Sequence, residues 1–129
     1  MAGMVHGKCE CGAVSFDITQ ARPAITFCHC RQCRRTSGHS WASTRAKATD
    51  VTFTKDAGLK WYQSSAQARR GFCKHCGSSL FYQPTAADHL GIAAGCLDLP
   101  TGGHSGKHMF TAHSGDYYIV PDDAPHIPD

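Results

Sequence analysis

A chain of 129 residues with 13 Lys and Arg, 10 Asp and Glu and a net charge of +3 is sized for one domain, residues 1–129, with a single modest core. The mild positive charge admits anionic small molecules and does not require nucleic acid, and the nine histidines add charge only below about pH 6.5. The longest apolar-looking stretch, residues 90–97, is far shorter than the roughly 20 residues of a membrane helix, and the N-terminal Met1-Ala-Gly-Met-Val-His-Gly-Lys8 has no apolar secretory core, so a cytoplasmic protein with reduced thiols and no membrane partner is expected.

In chain order, residues 13–19 alternate apolar and polar with period two and predict a strand. A short strand at 25–27 leads into a cysteine cluster, and residues 30–37 read as a helical turn stopped by Gly38. Strands are predicted at 41–47, 51–55, 59–64, 70–73, 79–82 and 89–93, rich in aromatic, Thr and Val residues. Gly102, Gly103 and Gly106 argue against a helix carrying His104 and His108, so these two and His113 are expected on a solvated loop or at a pocket mouth. Residues 121–128 form a proline-rich tail. The fold class is mainly β, with one short helical turn after the second cysteine cluster.

Seven of the eight cysteines fall in three clusters: Cys9-Glu-Cys11, Cys28-His-Cys30-Arg-Gln-Cys33 and Cys73-Lys-His-Cys76. Such spacing suits a metal better than disulfides, because thiolates gather around zinc at about 2.3 Å in a tetrahedron. Cys73 and Cys76 need a second pair. Spacing alone offers Cys9 with Cys11, or Cys30 with Cys33; the first wastes fewer sulfurs. The set Cys28, Cys30 and Cys33 then leaves one coordination position open for chemistry. A helix start and the cations Arg31, Arg34 and Arg35 favour thiolate there. Two other readings compete for this set: a Cys30–Cys33 redox dithiol, and a closed structural site completed by His29 or His39.

Gly7-Lys-Cys-Glu-Cys-Gly-Ala-Val-Ser-Phe16, Cys28-His-Cys-Arg-Gln-Cys-Arg-Arg-Thr-Ser-Gly38 and Arg70-Gly-Phe-Cys-Lys-His-Cys-Gly-Ser-Ser-Leu-Phe81 resemble the glutathione-dependent formaldehyde-activating enzymes. Gly95-Cys-Leu-Asp-Leu-Pro100, His108-Met-Phe110 and Asp116-Tyr-Tyr-Ile119 are similar to later landmarks of that family. The resemblance implies an Mss4-like fold of zinc-bound β-sheets. It also implies structural zinc on Cys9, Cys11, Cys73 and Cys76, and a more labile catalytic zinc on Cys28, Cys30 and Cys33. The implied reaction joins glutathione and formaldehyde into S-hydroxymethylglutathione, a carbon–sulfur lyase chemistry run in reverse. The partners are then a small thiol and a small aldehyde.

Arg34, Arg35 and Ser37 are the candidate glutathione-binding residues, with Arg45 a further carboxylate clamp, since a guanidinium grips a carboxylate bidentately. Alternative functions are a non-catalytic zinc module for glutathione, protein or nucleic acid (the domain family includes a centromere-associated chromatin protein), or a thiol–disulfide redox protein. Cys96 reads as core. Trp41, Phe53, Trp61, Tyr62, Phe72 and Phe81 also read as core, with Trp41 placed to wall a pocket. Arg69, Arg70 and Lys74 read as a solvated basic face. His29 and His75 are expected beside the metal sites or in solvent rather than as ligands.

Overall fold

The computed structural model describes residues 1 and 3–129. It contains β1 (Val5–Lys8), β2 (Ser15–Ile18), β3 (Ala24–Cys28), α1 (Arg31–Ser37), β4 (Trp41–Lys47), β5 (Val51–Lys55), β6 (Leu59–Gln63), β7 (Ala68–Cys73), β8 (Ser79–Pro84), β9 (His89–Ala93), β10 (His104–Met109) and β11 (His126–Ile127). Strands β1-β2-β5 form a small antiparallel sheet. The other eight form a large sheet ordered β11-β10-β3-β4-β9-β8-β7-β6. Its pairs are antiparallel except where β10 runs parallel to β3 and β11. The mainly β, Mss4-like expectation holds.

Period-two alternation gives the large sheet two unlike faces. On one face, Ala46, Phe81 and Ile92 pack with Phe16 and Ile18 of the small sheet, and Phe16 meets Phe81 edge-on with ring centres 5.1 Å apart. Each large side chain fully buried here contributes about 1.5–3 kcal/mol. The opposite face carries Trp41 of β4, Tyr82 of β8 and Arg70 of β7, with Cys28 in register beside Trp41. This face is covered by α1, whose single buried residue is Cys33.

Helix α1 is short because both ends are closed locally. The Cys30 sulfur accepts from the Cys33 N–H at 3.3 Å, and Gly38 adopts the left-handed conformation (φ 86°) that lets its N–H reach Arg34 O. Three strands were not legible in the residues. The β10 stretch His-Ser-Gly-Lys-His-Met has no β-branched residue and no Phe, Tyr or Trp, and its pairing with β3 and β11 makes it a strand. Strands β1 and β11 are four and two residues long, too short for a period to show. Two core expectations are corrected: Phe53 and Tyr62 are exposed, because β5 and β6 are edge strands.

Candidate metal centres and active site

Two loops build the first cluster. After β1, the Cys9 N–H donates to Val14 O at 2.9 Å, and the Val14 N–H donates to the Cys9 sulfur at 3.3 Å. After β7, the Gly77 N–H returns to Cys73 O at 2.8 Å, with Gly77 at φ 79°. These turns aim four sulfurs at one point. The Sγ atoms of Cys9, Cys11, Cys73 and Cys76 all lie within 4.8 Å of one another, with Cys11 3.7 Å from both Cys9 and Cys73. A tetrahedron with 2.3 Å arms has edges of about 3.8 Å, so the donor set fits zinc. Ser78 ties the loops together: its hydroxyl accepts from the Glu10 N–H and lies 3.2 Å from the Cys76 sulfur. That contact first, then the Ser78 backbone N–H, lowers the Cys76 thiol to about 5. Cys9 and Cys73 are buried, whereas Cys11 is exposed.

The second cluster sits where β3 meets α1. The sulfurs of Cys28, Cys30 and Cys33 also lie within 4.8 Å of one another. No His, Asp or Glu joins this group among the described residues, which leaves a three-thiolate set for a metal. A cavity of about 310 Å³ borders all three, walled by Gln32, Trp41, Arg70 and Tyr82. Interaction with Cys28 lowers the Cys33 thiol to about 6, against burial and with help from Arg70, while interaction with Cys33, then burial, pushes the Cys28 thiol up.

Arg70 corrects the expectation of a solvated face. It lies on the inward side of β7 and is 4% exposed. Its Nε and Nη2 donate to Gln32 Oε1 at 3.1 and 3.0 Å, and Nη2 also reaches the Cys33 sulfur at 3.4 Å. Gln32 is itself held by Ser64 O at 2.8 Å. The guanidinium carbon stands 4.9 Å from the centre of the Tyr82 ring. Arg69, one residue earlier, faces out over Trp61 and donates to Gln83. Strand alternation could have separated these two arginines; reading them as one patch hid it.

The histidines also differ from expectation. His108 lies on β10 and is buried, and its Nδ1 is 2.8 Å from Nε2 of His29, which is 2% exposed. The other His29 nitrogen meets the Tyr118 hydroxyl at 2.6 Å, while His104 and His113 remain in solvent. Burial, then their mutual repulsion, lowers the His29 pKa; burial, then His126, lowers that of His108. Cys96 is half-buried between the clusters and joins neither; burial, then the sulfurs of Cys9 and Cys76, raises its thiol to about 11.

The proposed glutathione contacts sit apart from the cavity wall. Arg34 Nε donates to His113 O at 3.3 Å, Arg35 is exposed, and the Ser37 hydroxyl donates to Cys33 O at 2.6 Å. Arg45 is better placed. With Arg22 and Lys107 it lines a chamber of about 200 Å³ that shares Thr26, Trp41, Ser43, Tyr82 and Met109 with the cysteine cavity. Arg22 was not singled out in the sequence; its guanidinium is fixed by Ala24 O and Thr26 Oγ1.

No helix among the described residues is long and apolar enough to cross a membrane. A Rhodobacter sphaeroides protein solved by structural genomics shares the fold, with a TM-score of 0.64 and 22% identity over 94% of this chain and 98% of its own. An uncharacterized lyase of Schizosaccharomyces pombe is 31% identical over 84 residues, which is 62% of this chain and 58% of that protein. Residues 4–113 match the model of the glutathione-dependent formaldehyde-activating enzymes, and with both cysteine clusters assembled inside that span the chain belongs to this family.

Proposed function

We propose that the protein is a zinc-dependent carbon–sulfur lyase of the S-(hydroxymethyl)glutathione synthase type, adding glutathione to formaldehyde or a related aldehyde. One observation carries this reading: three convergent sulfurs, too few to close a tetrahedral site, border a cavity with a buried guanidinium in its wall. Family membership and the lyase-named relative support it. Zinc held by Cys28, Cys30 and Cys33 would supply a Lewis-acid charge with an open position, and zinc held by Cys9, Cys11, Cys73 and Cys76 would hold the fold.

The chain's own residues do the rest. The cavity gathers thiol and aldehyde, converting an encounter in water into a reaction between neighbours. Trp41 and Tyr82 exclude water from one wall. Glutathione's carboxylates find Arg45, Arg22 and Lys107 in the adjoining chamber, with Arg34, Arg35 and Ser37 near the end of α1 as the alternative contacts. The test is formaldehyde consumption with glutathione, measured against the uncatalysed rate and repeated with Cys30→Ser. A rate above background that Cys30→Ser removes is expected; a wild-type rate equal to background overturns the reading. The Cys30–Cys33 pair at the start of α1 supports thiol–disulfide exchange as a second reading. Two zinc ions per chain in anaerobically purified protein would exclude it.

A further inference from the structure

The turn that carries Cys28 and Cys30 is gripped by residues far along the chain. His29 stands between the two cysteines and is 2% exposed. Both of its ring nitrogens are taken: Nδ1 lies 2.6 Å from the Tyr118 hydroxyl, and Nε2 lies 2.8 Å from Nδ1 of His108. Its backbone N–H donates to Met109 O at 2.9 Å. The rings of Phe27, His108, His29 and Tyr118 follow one another with centres 4.9, 5.1 and 5.4 Å apart, tilted by 14°, 27° and 23°. Beyond the cysteines, Arg34 Nε donates to His113 O at 3.3 Å, and His39 Nδ1 lies 2.8 Å from the Tyr117 hydroxyl. The segment bearing the three sulfurs is thus tied before, along and after α1 to residues 108–118.

We infer that Tyr118 and His108 are positioning residues for the three-sulfur centre. Acting through the two ring nitrogens of His29, they hold the Cys28–Cys30 turn in the shape that gathers the sulfurs. The inference rests on the reading of Cys28, Cys30 and Cys33 as a metal centre. Stability alone does not call for this arrangement, since an apolar ring at His29 would fill the same space without desolvating polar atoms. What two directional bonds add is uniqueness: a satisfied buried network fixes the position and rotation of the ring, where an apolar ring could slide or turn. The two clusters differ in their need for it. Four sulfurs on two backbone turns close a tetrahedron by themselves, whereas three leave one vertex undefined, so the surrounding chain must supply the missing constraint. With the turn held, the sulfurs are placed before an ion arrives, and the ion leaves only when the turn opens.

The test is zinc release from the loaded chain to a colorimetric chelator, under anaerobic conditions. The wild type should release its zinc in two phases, and the faster one, absent from Cys30→Ser, belongs to the three-cysteine centre. Tyr118→Phe removes one hydroxyl and keeps the ring. It should speed the fast phase about 10-fold, the lower end of what loss of an orienting partner costs a metal site, and leave the slow phase unchanged. His108→Leu should act in the same direction, and His108→Asn, which keeps a polar atom near the position of Nδ1, should restore part of the loss. A merely structural role would lower the thermal midpoint and speed both phases together. That outcome, or wild-type release from both Tyr118→Phe and His108→Leu, overturns the inference. If Tyr118→Phe fails to fold, the two His108 variants decide. A folded wild type that retains a single zinc overturns the three-cysteine metal centre itself, so the two failures are distinguishable.

Discussion

The two cysteine clusters use the same atoms for opposite ends. The four-cysteine cluster joins the loop after β1 to the turn after β7, and Cys9 and Cys73 are continuous with the Phe16–Phe81 core. Its ligand set is complete. The three-cysteine cluster lies on the other face of the large sheet, against α1, and opens on a cavity. What separates them is the company they keep. The first is bound by backbone turns and Ser78; the second faces a buried cation, two aromatic rings and empty volume. A closed thiolate set stabilises a fold, and an open one beside a fixed charge is suited to chemistry.

The largest expected effect comes from removing one ligand of each cluster in turn. Cys73→Ser should strip metal and unfold the chain, since metal-linked folding free energy is on the order of 10 kcal/mol in small zinc domains. Cys30→Ser should stay folded, with a midpoint change equivalent to about 1–2 kcal/mol, and should turn over at background. Circular dichroism, melting and metal content of both variants decide this; equal unfolding would end the division of roles.

A smaller effect should come from Gly58→Ala. A Cβ at Gly58 would lie 2.9 Å from the Cys73 sulfur and 2.9 Å from Ala13 Cβ. Overpacking of this kind costs about 1–3 kcal/mol. Chelator competition should show weaker metal retention at the four-cysteine cluster alone; equal loss from both would mean the clusters are coupled.

The smallest effect is electrostatic. His108 is buried against Phe27, His29 and His126, and burial first, then His126, holds its pKa below the ordinary value. As pH falls through about 6.5, the unfolded chain takes up the proton before the folded one does. Its contribution is therefore present above that pH and lost below it. Melting at pH 7.5 and 5.5 should show a larger acid loss for the wild type than for His108→Phe. Equal losses would remove His108 from the account.

Much of this was legible before any folding. The bounds of β4, β5 and β9 match the strands predicted at 41–47, 51–55 and 89–93, and Gly38 announces the end of α1. His108 was not legible as a buried group, and Arg70 only through the alternation of β7. Each side chain's surroundings come from other elements: Gln32 of α1 and Tyr82 of β8 for Arg70, and β3 for His108.

By itself the sequence determined the kind of site, because two- and three-residue spacings between cysteines bring sulfurs within reach of one ion whatever surrounds them. Which clusters join was left open by spacing, favoured by the count of sulfurs and indicated by resemblance. The tertiary structure brings Cys9 and Cys11 to Cys73 and Cys76 and keeps Cys28, Cys30 and Cys33 apart. It also turned Arg70 inward and left it, with Trp41, one unpaired donor each. Short-range geometry is written in spacing, whereas sheet order and burial are sums over distant contacts, and those sums chose the face on which an open site and a fixed charge could meet.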